Sequence, residues 1–154
     1  MKKQIIFTLM IFGVLFLRSQ DKDQVTGFIN KSHIALNKTE KEIMQLSDKN
    51  LEVSFKEAIK YQMASVKYYK ANKLNEAYEF SFRSRMICIE ILSGINKLYS
   101  DFFNPTDTEK QLMSSDYKTL VLNADVLNPA ESAKVDNLNI TEPQKLRELE
   151  INLN

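Results

Sequence analysis

Between residues 77 and 102, eight positions recur four and three apart without a fault: Ala77, Ser81, Ser84, Cys88, Ile91, Ile95, Leu98 and Phe102. A mean step of 3.5 residues keeps one face of an α-helix turned the same way, whereas a strand alternates every two. The stripe begins with small residues, which let a neighbouring helix come close, and ends with large ones, which fill wider space. Tyr78, Phe82, Ile89 and Leu92 widen the apolar arc, so this helix is expected to sit centrally and touch two neighbours. Asn104-Pro105 is its expected stop, giving a helix from about Glu76 to Phe103.

Beyond residue 20 the chain carries two glycines, Gly27 and Gly94, and three prolines, Pro105, Pro129 and Pro143. So few breakers favour long helices over a sheet with many turns. From about Asp23 to Leu46, Val25, Phe28, Ile29, Ser32, Leu36, Thr39, Ile43 and Leu46 make one stripe. Ser47-Asp48-Lys49-Asn50 is a polar break where a new helix can be capped. A second stripe, Leu51, Phe55, Ala58, Ile59, Gln62, Met63, Val66 and Tyr69, runs to about Ala71. Asn72 tolerates the left-handed conformation that closes a helix, and Asn75 is the expected cap of the next.

Thr106-Asp107-Thr108-Glu109 has the capping-box pattern, and Met113, Tyr117, Leu120, Val121, Ala124 and Leu127 face one way after it. Thr119 to Leu122 also fits a strand, and Asn128-Pro129 is the expected stop. From Pro129 to Asn154 apolar residues are sparse, with a short helix expected between Thr141 and Ile151. The fold class read from this is all-α: an antiparallel helical bundle or α-hairpin array of about four helices over residues 20–128, with a loosely attached C-terminal tail over 129–154.

Residues 1–19 read as an address. Lys2 and Lys3 precede an apolar run from Ile5 to Leu17, broken only by Thr8 and Gly13. Thirteen residues are too few to span a bilayer, which needs roughly 20, but suit a secretory signal cut near Ser19-Gln20. A buried helix or an uncleaved anchor are the alternatives. The expectation is a periplasmic or secreted protein with no stable membrane span after cleavage. Of 21 basic and 20 acidic residues the segment holds Lys2, Lys3 and Arg18 and no acid. That leaves 18 basic and 20 acidic residues, a net of −2, and no basis for nucleic-acid binding.

Tyr61, Ala64, Ser65, Tyr68, Asn72, Leu74, Ala77 and Ser84 follow one another at the spacings of a single tetratricopeptide repeat, and residues 61–89 resemble one such hairpin. Ser81 stands where that pattern has Phe, and Ile89 where it ends in Pro. No second copy lies 34 residues away. The resemblance implies close packing of two helices and, by family habit, peptide binding in a concave groove.

The chemistry-bearing residues are few. His33 is the single histidine and is expected to be an exposed helical one, which leaves no partner for a di-iron or Ser-His-Asp site. Cys88, the single cysteine, lies on the main stripe and is expected to be a small core residue. Arg83 and Arg85 flank Ser84 and point to different faces; Arg83 stands four residues after Glu79, the spacing of a surface pair. Glu76 and Glu79 read as solvated charge, and the three Asn-x-Ser/Thr triplets carry no assigned role. No catalytic residue, metal site or cofactor is expected, and the chain reads as a non-enzyme.

Aromatics crowd instead. Tyr61, Tyr68, Tyr69, Tyr78, Phe80 and Phe82 fall within 22 residues, half of the 12 aromatics after residue 19. They cannot all share one buried stripe. Tyr61, Tyr68, Tyr69, Tyr78 and Phe80 are therefore the candidate binding residues, with a protein or peptide partner expected at the hairpin. Self-association through the wide apolar arc is the alternative, and an enzyme using carboxylates or Tyr a remote one.

Overall fold

The computed structural model describes residues 21–97, 104–114, 122, 125–140, 142 and 149–153. Residues 1–20 fall outside them, so the signal segment does too. Five α-helices are present among the described residues: α1 (Lys22–Ile43), α2 (Lys49–Lys70), α3 (Leu74–Gly94), α4 (Asp107–Ser114) and α5 (Pro129–Asp136). The helical class is as expected. No strand occurs among the described residues, and no described helix is long and apolar enough to cross a membrane.

The helix ends follow from local chemistry. Asp21 caps α1 by accepting from Gln24 N at 2.8 Å. Asp48 caps α2 by accepting from Asn50 N and Leu51 N. The expected break at 47–50 thus holds, with Ser47 at φ 50. Asn72 closes α2 in the left-handed region, φ 59. Beside it Lys73 N donates to Tyr68 O and Asn72 N to Tyr69 O, the double bond of a Schellman end. The next helix starts earlier than expected: Leu74 is already helical, and the preceding Lys73 makes no side-chain cap. Asn75 is inside α3 and is not its cap.

The far end of α3 also departs from expectation. Asn96 has φ 55, Lys97 N donates to Leu92 O at 2.8 Å and Asn96 N to Ser93 O. A second Schellman end therefore stops α3 at Gly94, well before Pro105. The apolar stripe of the sequence continues through Leu98 and Phe102. Those two residues lie outside the described set.

α1 and α3 lie side by side and run the same way, with α2 antiparallel to both. Ser32 of α1 meets Ser81 of α3, its Oγ donating to Ser81 O at 2.6 Å and standing 2.8 Å from Ser81 Oγ. On the α2–α3 seam Ser84 Oγ donates to Ala58 O and Ser65 Oγ to Ala77 O. The small residues bring the helices close enough for hydroxyls to reach neighbouring backbones, and each of these buried serine hydroxyls is hydrogen-bonded. α3 contacts both neighbours most extensively, as the double-width arc required. Phe55, Ile59, Leu36, Ile43, Cys88 and Leu92 are buried between the three.

Of the expected fourth helix, α4 is the part that falls among the described residues, and α5 lies beyond it in the stretch read as tail. Thr106 caps α4 through a capping box, its N–H donating to Glu109 Oε2 and its Oγ1 accepting from Glu109 N. α4 is described as far as Ser114; residues 115–121, which include most of the stretch where a strand was the alternative, lie outside the described set. Asn128-Pro129 does not end a helix but begins one. Asn128 caps α5 in a capping box with Glu131, and Pro129 takes a first-turn position, where its missing N–H costs nothing.

The loosely attached tail is a further correction. α5 packs against α2, with Val135 fully buried, and Ile140, Leu149 and Ile151 are under one-tenth exposed. Lys60 and Lys67 of α2 pair with Asp136 and Glu131. Residues 143–148, most of the short helix expected there, lie outside the described set.

Candidate functional site

The five candidate aromatics divide by depth. Tyr61, Tyr78 and Phe80 are each no more than 5 % exposed. Tyr68 and Tyr69 are half-buried. Phe80, which the stripe places at the edge of the arc, is covered because α2 lays Tyr61 and Tyr68 on either side of it. Its ring centroid is 6.1 Å from Tyr61 and 5.2 Å from Tyr68. The Arg83 guanidinium lies over Tyr61, 5.7 Å from the ring centre.

Tyr68 completes this stack at the hairpin end, with Lys73 Nζ 5.3 Å from its ring centre. Tyr69 turns toward α1: its hydroxyl is 2.8 Å from Thr26 Oγ1, and Lys22 Nζ stands 5.4 Å from its ring centre. Both half-exposed rings thus carry an ammonium at cation–π distance. Tyr78 is on the other side of α3, roughly 200° from Phe80. Its ring meets Phe28 of α1 at 4.3 Å.

Tyr78 belongs to a second constellation. Arg85, two turns further along α3, forms an ion pair with Glu109 of α4; the side chains are 6 % and 1 % exposed. Arg85 Nη2 donates to Glu109 Oε1, while Glu109 Oε2 is held by the N–H of Thr106. Burial raises the Tyr78 phenol well above its ordinary range; Glu109 raises it further and Arg85 offsets part of the rise. The Tyr78 hydroxyl and Arg85 Nε are buried without a hydrogen-bond partner among the described residues. A shallow groove of about 290 Å³ opens beside this cluster, lined by Asp23, Gln24, Gly27, Phe28, Lys31 and Thr106.

Periodicity contained a signal for this cluster. Tyr78, Phe82, Arg85, Ile89 and Leu92 recur four and three apart, so Arg85 sits at the centre of an otherwise apolar stripe. A guanidinium there demands a buried acid from another element. Glu109, identified from sequence only as a capping residue, is that acid.

The remaining groups offer little chemistry. His33 is half-buried rather than exposed; Asn37 Nδ2 donates to its Nε2 at 3.1 Å, and burial lowers its pKa. Cys88 is fully buried, and burial pushes its thiol up to about 12. Among the described residues no three of His, Cys, Asp and Glu come together in a way that could hold a metal ion. No protein-family model, curated protein or solved structure matches the chain.

Proposed function

We propose that the chain is an exported, non-enzymatic helical module that binds a protein or peptide at the turn end of the α2/α3 hairpin. One observation carries this: Tyr68 and Tyr69 stand side by side, each half-exposed and each with a lysine ammonium against its ring. Such an edge offers apolar area, hydroxyls and positive charge together, and its natural complement is an acidic segment with apolar side chains. Phe80 and Tyr61 serve this edge from below, as the packed support that fixes the Tyr68 ring.

Export rests on the Lys2-Lys3 start and the 13-residue apolar run from Ile5 to Leu17. A lone thiol buried in the core suits an oxidising compartment, because no exposed cysteine is left to cross-link. Amino-terminal sequencing of protein recovered outside the cytoplasm should begin near Gln20. A cytosolic, unprocessed chain would end this part of the proposal.

The binding edge is tested with Tyr68→Ala and Tyr69→Ala in the full chain. Both positions are half-exposed, so helical content is retained, and partner capture falls in each variant. Unchanged capture removes the hairpin end as the interface. Sedimentation at micromolar concentration tests the self-association alternative, a second copy covering the wide apolar arc of α3: a strict monomer removes it.

A further inference from the structure

Arg85 offers more than Glu109 uses. A guanidinium grips a carboxylate best side-on, with two parallel N–H donors on two oxygens. Glu109 engages Nη2 through Oε1, while its Oε2 accepts from the Thr106 N–H in the capping box. Arg85 Nε and the Tyr78 hydroxyl remain buried without partners among the described residues. A carboxylate free of capping duty can engage both Nε and Nη2.

The helix that delivers Glu109 is thinly held. α4 is eight residues long, too short to persist by itself. Asp107, Lys110, Gln111, Met113 and Ser114 are exposed. Leu112 is half-buried against the Phe82, Met86 and Ile89 cluster. No single long helix contacts α4 as extensively as α2 contacts α5. Beneath α4 therefore lies a strip of α3 with an arginine beside three large apolar side chains. The groove by Thr106 opens at the capped end of α4.

We propose that Arg85, with Tyr78, is a receptor for an external carboxylate, and that α4 is a displaceable strap that fills it from within the chain. The ligand is an acidic peptide helix carrying Glu with a large aliphatic residue three positions later, the arrangement of Glu109 and Leu112. This site is separate from the Tyr68–Tyr69 edge, and either can fail without the other.

The probe is a synthetic peptide of residues 104–114 with blocked termini, titrated calorimetrically into the full chain. Glu109→Gln weakens the internal competitor, so the peptide binds this variant at least about tenfold more tightly than the unaltered chain. The same peptide with Gln in place of its Glu loses at least about tenfold on the variant. Arg85→Met abolishes the response. Equal binding by the Glu and Gln peptides, or none by either, overturns the proposal. Should Glu109→Gln lose its helical circular dichroism, the peptide is added at millimolar concentration to the unaltered chain and amide exchange is followed. Faster exchange at residues 107–114, with 55–66 unchanged, supports a displaced strap; unchanged exchange at 107–114 overturns it.

Discussion

The side-chain amide of Gln62, fully buried in α2, donates to the backbone carbonyl of Ile151, 89 positions later in the chain, at 2.9 Å. Its second proton goes to Ile29 O of α1 at 3.0 Å. One side chain thus ties the C-terminal segment and α1 to the middle helix. Gln62→Leu keeps most of the volume and removes both donors, which should cost about 1–3 kcal/mol of stability. A chain ended at residue 148 should lose more, because the burial of Ile151 goes as well. Urea unfolding of both forms measures this. A truncated chain as stable as the full one would mean that the segment adds nothing to the bundle.

Ser81 is the point where the chain departs from the tetratricopeptide pattern, and the structure supplies a reason. It is fully buried, with Ser32 Oγ 2.8 Å from its hydroxyl and 2.6 Å from its carbonyl. Any large side chain would push α1 off α3. Ser81→Phe, the family-like residue, is expected to destabilise by at least about 3 kcal/mol through overpacking. Ser81→Ala, which keeps the carbonyl acceptor for Ser32, should cost about 1 kcal/mol. Thermal melts that rank Phe as the milder change would refute the close-contact account.

Gly27 presents the opposite case. It lies inside α1, and a methyl group added there would meet no atom within 4 Å. A helical glycine loses more conformational freedom on folding than alanine does, so Gly27→Ala should stabilise by about 0.5–1 kcal/mol. Differential scanning calorimetry of the single variant checks this. A lower melting temperature would show that α1 needs the missing side chain.

The three long helices were legible because their stripes are long and their ends carry Asp48 and Asn72, whose roles are local. What escaped the sequence is mostly non-local or depends on weak punctuation. Asn96 ends α3 in the left-handed region where glycine is more usual, and the stripe runs on past it. Pro129 was ambiguous because proline both stops one helix and starts another. Among the candidate aromatics, periodicity separates helix faces but not depth. It could not show that Phe80 is flanked by Tyr61 and Tyr68 from α2. Nor could it supply the partner of Arg85, because Glu109 arrives from a helix whose docking no local pattern encodes.

Cys88 makes the stability of the fold depend on alkaline pH. Burial raises its thiol from an ordinary value of 9.0 to about 12, with the side-chain hydrogen bond between it and Thr39 opposing part of the rise. The folded chain therefore holds this proton more tightly than the unfolded chain. The contribution is complete below the unfolded value near pH 9 and is lost as pH climbs through the folded one. Between them unfolding releases one proton from this site, so stability should fall by about 1.4 kcal/mol per pH unit. Tyr78, whose phenol burial also raises, adds a similar slope from about pH 10 upward. Cys88→Ala should remove the first slope and leave the second, seen as a flatter urea midpoint between pH 9 and 10. In the native protein at pH 8 the thiol should label with a disulfide reagent only as fast as the chain unfolds, and at once in guanidinium. Rapid labelling without denaturant, or a pH profile unmoved by Cys88→Ala, would place the thiol outside the core.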